Sequence, residues 1–299
     1  MSVPKLHHYV PQSYLSRFTD AKSRLWVWDK DTDRIFPSST EGIAAEKHFY
    51  RFTDLTGTAK DPLLIENAFA QLEGDIAKTT KKWIAELKEM KPLDTLSITD
   101  TDREIMSVFL ASQFFRTAET REILMLFALE KGYYKDGISE EERANLHAAL
   151  LVNSPLIHEL STWLMRAIWI FARNGTGYPF ITSDNPVCFK TPTNGQWLKA
   201  TGIMSEGSYL VYPLAPHLIL YCKDGQHPRW KPLKPFADKL SPVELSKGMI
   251  DHENSGQVFM ATRFVMSSIN DFSFPREFCV KYCPPQTGPL KVKGDQSAD

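Results

Sequence analysis

Tyr209-Leu210-Val211-Tyr212-Pro213-Leu214-Ala215-Pro216-His217-Leu218-Ile219-Leu220-Tyr221-Cys222 decides the class of fold. Two short runs rich in aliphatic and aromatic residues flank the turn-forming Pro213 to Pro216 segment, so they read as an antiparallel strand pair. Without that pair the sequence is dominated by helical patterns. From Pro62 to Glu89, Ile65, Phe69, Leu72, Ile76, Trp83 and Leu87 form a stripe at helical spacing, with Asp61 as N-cap and Pro62 at the first helical position. A second helix opens at Thr99 or Asp100, whose acidic first turn complements the macrodipole, and a further helical run spans Ala118 to Lys131. Helices are also predicted over Ser139 to Val152 and Pro155 to Arg173, the latter closed by Asn174-Gly175. Val243 to Ser268 reads as helical with interruptions at Gly248 and Asn254-Ser255-Gly256.

Near the start, Leu25 to Asp29 and Arg34 to Phe36 flank a polar turn and predict a small hairpin. Phe180 to Val187 reads as a short strand that joins the Tyr209–Cys222 pair, and Pro228 to Pro242 as a connector. The expected fold is α+β: a mostly helical core, a small N-terminal hairpin and a mainly antiparallel sheet in the second half. One domain is expected over residues 5–283, with 284–299 a disordered tail because it has too little apolar content to pack.

The chain has 299 residues, 42% hydrophobic and 12% aromatic, enough for a substantial core. A formal net charge of -1 excludes a binder that depends on bulk positive charge, while leaving room for a local basic groove. Cys188, Cys222, Cys279 and Cys283 lack paired CxxC spacing and read as reduced structural thiols. No signal-peptide pattern or membrane span is evident, so a soluble, cytoplasmic protein is expected.

The densest chemistry lies in His7-His8-Tyr9-Val10-Pro11-Gln12-Ser13-Tyr14-Leu15-Ser16-Arg17-Phe18. Neutral imidazole ligates metals and carries protons near neutral pH, and Pro11 starts a short helix whose inner face is Tyr14, Leu15 and Phe18. One histidine would enter a site while the other anchors the turn; equally, both could serve only to bridge backbone groups. Glu46, His48 and Tyr50 share a face if their segment is extended. Glu66 and Glu73 lie two turns apart beside the buried stripe, giving either an acidic lining or a solvated flank. Gln113, Arg116 and Thr117 cluster at helical spacing, and an arginine beside phenylalanines needs an acidic partner or an anionic ligand. Thr182, Ser183, Asp184 and Asn185 are delivered at a strand end before Pro186, a setting for metal or substrate binding and also for an ordinary turn.

These motifs, His7 to Leu15, Glu66 with Glu73, Gln113 with Arg116-Thr117, and Phe180 to Pro186, resemble in order those of the bacterial family called domain of unknown function 4238, from about Lys5 to Asn270. The resemblance implies one domain and treats the motifs as a set, but brings no activity with it. The HHxVP opening also resembles the first motif of HNH nucleases, although no asparagine precedes Asn67 and the next histidine, His48, is some forty residues on.

The leading expectation is a metal-dependent hydrolase, a phosphodiesterase or nuclease. His8, Glu73, Arg116 and Asp184 would be catalytic, and His7, His8, Glu66 and Asp184 would hold a divalent ion such as Mn, Mg or Zn. Gln113, Thr117, Ser183 and Asn185 would bind nucleic acid or another phosphate-containing ligand. The alternative is a non-enzymatic binding or regulatory module, whose polar cluster is structural or binds an anion. His7 or His8, Glu66, Glu73, Gln113, Arg116 and Asp184 are expected to meet in one cluster, because charged groups bordering a core need partners.

Overall fold

The computed structural model describes residues 6–47, 49, 64–134, 138–152, 155–199 and 206–283. The expected Asp61 cap, Pro62, His48, Tyr50 and the 284–299 tail lie outside the described residues. The class is α+β.

Strand β1 (Leu6–His8) leads into helix α1 (Gln12–Leu15) and a 3-10 turn over Ser16–Phe18. Pro11 stands one position before its expected place, as the N-cap, with φ -59° and ψ 136°. Strands β2 (Leu25–Asp29) and β3 (Arg34–Ser38) form the predicted hairpin, and β4 (Ala45–Lys47) pairs back onto β1, setting His7 opposite Glu46.

Helix α2 (Leu64–Glu89) buries Ile65, Phe69, Ile76, Trp83 and Leu87 on one stripe. Helix α3 (Asp100–Phe115) begins with a full capping box: Thr99 accepts from the Asp102 amide and the Asp102 carboxylate accepts from the Thr99 amide. Thr117 caps α4 (Ala118–Glu130), and α5 (Glu140–Val152) and α6 (Pro155–Arg166) follow.

The expected helix over Pro155 to Arg173 is corrected here: it stops at Arg166, and β5 (Ile168–Arg173) takes over. Ile168-Trp169-Ile170-Phe171 is apolar at every position, as befits a strand covered on both faces, so hydrophobic period cannot separate strand from helix there. β5 lies within a six-stranded sheet ordered β11-β5-β10-β9-β7-β8, built with β7 (Cys188–Lys190), β8 (Trp197–Leu198), β9 (Tyr209–Ala215), β10 (Leu218–Lys223) and β11 (Lys239–Leu240). Its neighbours are antiparallel except for β11 beside β5. The Pro228 to Pro242 connector contains a 3-10 turn, Lys231–Phe236, as well as β11.

A second correction concerns β6 (Thr182–Ser183), which does not join β9 and β10. It pairs with β12 (Phe264–Ser267) in a four-stranded sheet ordered β3-β2-β12-β6, because Asp184 and Asn254 tie this segment to the chain around β12. Helix α7 (Lys247–Met260) runs unbroken through Gly248 and Asn254-Ser255-Gly256, and α8 (Ser273–Tyr282) follows β12. Gly256 packs closely: a Cβ there would overlap the Trp197 ring unless the ring moved.

One continuous core runs from Phe18 and Trp83 through Phe109 to Trp169, Tyr212 and Leu220. Trp83 meets Trp169 and Phe171 edge-on, with ring centroids 6.1 Å apart in both pairs, so α2 is fixed against β5. The four cysteines are free; Cys188 and Cys222 are buried in the large sheet.

Candidate functional site

β1 carries its two histidines to different surroundings, as strand alternation requires. His7 is 2% exposed, with Nδ1 3.9 Å from Glu66 Oε2. His8 faces a cleft of about 350 Å³ between α1 and α2, lined also by Gln12, Ser13, Glu66, Phe69 and Glu73. His8 Nε2 stands 3.1 Å from the Glu41 carbonyl and Nδ1 3.4 Å from Gln12 Nε2. A carbonyl only accepts and an amide nitrogen only donates, so Nε2 carries the proton and Nδ1 the lone pair.

Helix α3 closes the cleft from behind. Arg116, 1% exposed, donates from Nη1 to Glu73 Oε1 at 2.8 Å and from Nε to the Tyr9 carbonyl at 2.9 Å. Gln113 Nε2 donates to that same carbonyl at 2.9 Å, and the guanidinium lies 4.7 Å from the Phe69 ring centre. Tyr9 directly follows the histidines, so these bonds from α3 set where β1 ends. A buried guanidinium held this way is a positioning device: its charge steadies Glu73 and its geometry steadies His8.

Glu66 is the perturbed acid of the cleft. Burial pushes its pKa up and the neighbouring Glu73 carboxylate pushes it further, while Arg116 and His8 oppose the rise. Among the described residues, Ser13 Oγ is buried without a hydrogen-bond partner, on the wall of the same cleft. Sequence reasoning missed Gln12 and Ser13 as contacts; the available signal was Gln12 standing four residues after His8, one turn further on once α1 forms.

The structure brings His7, His8, Glu66, Glu73, Gln113 and Arg116 together; of the strand-end group, Thr182 Oγ1 lies 2.8 Å from the Tyr14 hydroxyl of α1, while Ser183, Asp184 and Asn185 take other partners. The Asp184 carboxylate accepts from the amides of Thr262, Arg263 and Phe264, each at 2.8 Å, and so clasps the turn between α7 and β12. Burial raises its pKa to about 6, with the three amides opposing the rise. The expected placement of Asp184 in the cluster is therefore corrected: backbone donors, not a histidine, satisfy it. Ser183 Oγ donates to Gln257 Oε1 at 3.0 Å, and Asn185 Nδ2 donates to Glu119 Oε2 at 3.0 Å. Thr117 is engaged as the α4 cap, so these three side chains face internal partners and not the cleft.

Among the described residues, no three His, Cys, Asp or Glu side chains are placed to hold a metal ion. The expected set of His7, His8, Glu66 and Asp184 is divided, with Asp184 held at the β12 turn. Nor, among the described residues, is any helix long and apolar enough to cross a membrane.

The family model described as "Protein of unknown function (DUF4238)" matches residues 6–271. No curated protein and no solved structure matches the chain, and nothing found supports the likeness to HNH nucleases.

Proposed function

The chain belongs to this family, whose description names no activity, so we propose from the cleft itself that the protein is a hydrolase, with phosphodiesters the first substrate class to assay. The observation that carries the reading is the pairing in one cleft of a half-buried carboxyl, Glu66, whose pKa burial and Glu73 raise, with the imidazole of His8, whose Nδ1 accepts from Gln12 at 3.4 Å. In this reading Glu66 protonates the leaving oxygen, and the attacking water displaces the Gln12 amide from His8 Nδ1 and gives it a proton. Charge at Glu73 is offset by the Arg116 guanidinium 2.8 Å away, which favours an anionic group beside it. Ser13 Oγ supplies a hydrogen bond to the bound group.

A divalent ion fits this reading only in one form. Mg²⁺ or Mn²⁺ keeps its waters and is commonly held by a carboxylate or two together with substrate phosphates, which Glu66 beside His8 supports. A closed zinc cage drawing every ligand from the protein does not fit the described side chains. With an ion bound, Glu66 would give up its proton and serve as ligand instead of acid.

The test is turnover of bis(4-nitrophenyl) phosphate and of single- and double-stranded nucleic acid, with chelator and with added Mg²⁺ or Mn²⁺. His8→Ala and Glu66→Gln are each expected to lower kcat by about 10²-fold or more, the usual scale for a general acid or base. Turnover in chelator supports the acid–base form, and turnover only with the ion supports the metal-assisted form. No turnover under any condition, or unchanged rates in both variants, would refute the hydrolase.

A second reading has its own support in Arg116. Two of its donors bond inside the protein, to Glu73 and Tyr9, which is how an arginine behaves in a structural network. On that account the protein is a non-enzymatic binding or regulatory module, and the cleft binds a phosphate-containing partner without turning it over. Saturable phosphate binding without turnover, abolished in His8→Ala, distinguishes it.

A further inference from the structure

Asn185, which follows the clasp made by Asp184, is 3% exposed and lies on the wall of a second pocket, of about 160 Å³. The ends of α3, α5 and α7 converge there with α4: Phe114, Phe115, Leu124, Leu150 and Met260 supply apolar walls. None of the residues lining this pocket lines the His8 cleft. The Phe114 ring is wedged at 5.2 Å against Phe115 and at 5.3 Å against Phe189 of β7, edge-on in both pairs, so packing holds that wall in place. Leu156 also lines the pocket and is 50% exposed, so the pocket reaches the surface beside it.

Glu119, Thr120 and Asn185 are the polar side chains of this wall, and their hydrogen bonds can be followed atom by atom. Thr120 Oγ1 donates to the Phe114 carbonyl at 3.1 Å. Glu119 Oε1 accepts from Lys199 Nζ at 2.8 Å and Oε2 accepts from Asn185 Nδ2 at 3.0 Å, so its charge is matched inside the protein. A carboxylate paired with an ammonium only accepts, which fixes the Asn185 amide with Nδ2 on Glu119 and leaves Oδ1 for another donor. Among the described residues, Asn185 Oδ1 is a buried acceptor with no hydrogen-bond partner. A dry, unmet acceptor costs stability, which a donor brought in by a ligand recovers.

We propose that this pocket binds a small, uncharged arene carrying one O–H or N–H donor, a phenol or an indole, with the donor on Asn185 Oδ1. Size sets the first limit. A dry cavity of about 150 Å³ lined by Leu, Ile and Phe takes up benzene, so walls of this kind and extent suit one ring or a fused pair. Met260 adds an adaptable thioether, a favourable neighbour for an aromatic ring.

Charge sets the second limit. An anion would face the oxygens of Glu119 and Asn185, and a cation would find Glu119 already paired with Lys199. A neutral donor on an apolar body is the complement that remains, and a site that hydrogen-bonds its ligand this way discriminates against an isostere lacking the donor.

The test titrates the full chain calorimetrically with indole against indene, which has the same shape with CH₂ in place of N–H, and with phenol against toluene. Indole or phenol is expected to bind saturably and at least about tenfold more tightly than its partner without the donor. 5-Azidoindole photolysed on the wild-type chain locates the site: peptide mass spectrometry should find adducts within residues 114–124 or at Met260, suppressed by excess indole. Both readouts use the wild-type chain and need no variant to fold. Leu124→Trp, which fills the pocket from a half-buried wall position, should weaken indole at least about tenfold while thermal unfolding stays cooperative. Saturable binding by neither indole nor phenol, equal affinity within both pairs, or photoadducts confined to other peptides would overturn the proposal. No readout depends on turnover at the His8 cleft, so failure of the hydrolase and failure of this pocket are separate results.

Discussion

His147 is 1% exposed, beside Phe49, with Nε2 3.0 Å from the Phe115 carbonyl. Burial lowers its pKa to about 4, with Arg121 adding to the fall and the Phe115 carbonyl opposing it. The folded pKa thus lies below the unfolded one, near 6.5, and on acidification the unfolded chain takes up its proton first. His147 therefore contributes stability that is complete above about pH 6.5 and lost as pH falls toward 4, on the order of 3 kcal/mol across the window. Urea unfolding of wild type and His147→Gln between pH 7 and pH 4 measures it, and parallel loss in both proteins would refute the assignment. The same reasoning explains which site residues were legible in sequence. Glu66, Glu73 and Arg116 border apolar stripes and had to find partners, so their meeting followed from helix geometry. Asp184 was not legible, because a carboxylate at a strand end looks the same whether it awaits a ligand or three backbone amides.

At the scale of elements, capping chemistry made the start of α3 readable, and the polar turn between two apolar runs made the β2–β3 hairpin readable, whereas Thr117, expected as a ligand contact, is the cap of α4. The boundary between α6 and β5 was hidden by a run apolar in both periods, and the route of α7 by its glycines. Gly256 marks close packing within that helix and not its end. Gly256→Ala sets two effects against each other: about 1 kcal/mol gained in helix propensity and about 1–3 kcal/mol lost by overpacking. Because the new Cβ meets a ring wedged between α7 and the Lys190 ammonium, overpacking is expected to win. A lowered Tm with altered Trp197 emission is the expected outcome, and a Tm equal to or above wild type would show that the ring shifts freely.

At the scale of the molecule, residues far apart in sequence finish one another. Arg263 donates to both carboxylate oxygens of Asp29, at 3.1 and 2.8 Å, and Lys30 Nζ caps the end of α7 through the carbonyls of Val258 and Ala261. Strand β2 gains its inner neighbour only from β12. Ending the chain after Thr262 is therefore expected to abolish cooperative thermal unfolding throughout and not to trim one edge. A sharp transition retained by that fragment, followed by near-ultraviolet circular dichroism, would show that the earlier residues form a unit of their own.

That late partner for β2 also imposes an order on biosynthesis. The hairpin leaves the ribosome early, yet the strand that covers its inner edge is translated only after more than two hundred further residues. Throughout that interval the edge amides and carbonyls of Leu25–Asp29 stand ready to pair with any other extended chain, including a neighbouring nascent copy. Translation speed and chaperone occupancy over this window, more than the stability of the finished protein, then govern how much of it is recovered intact.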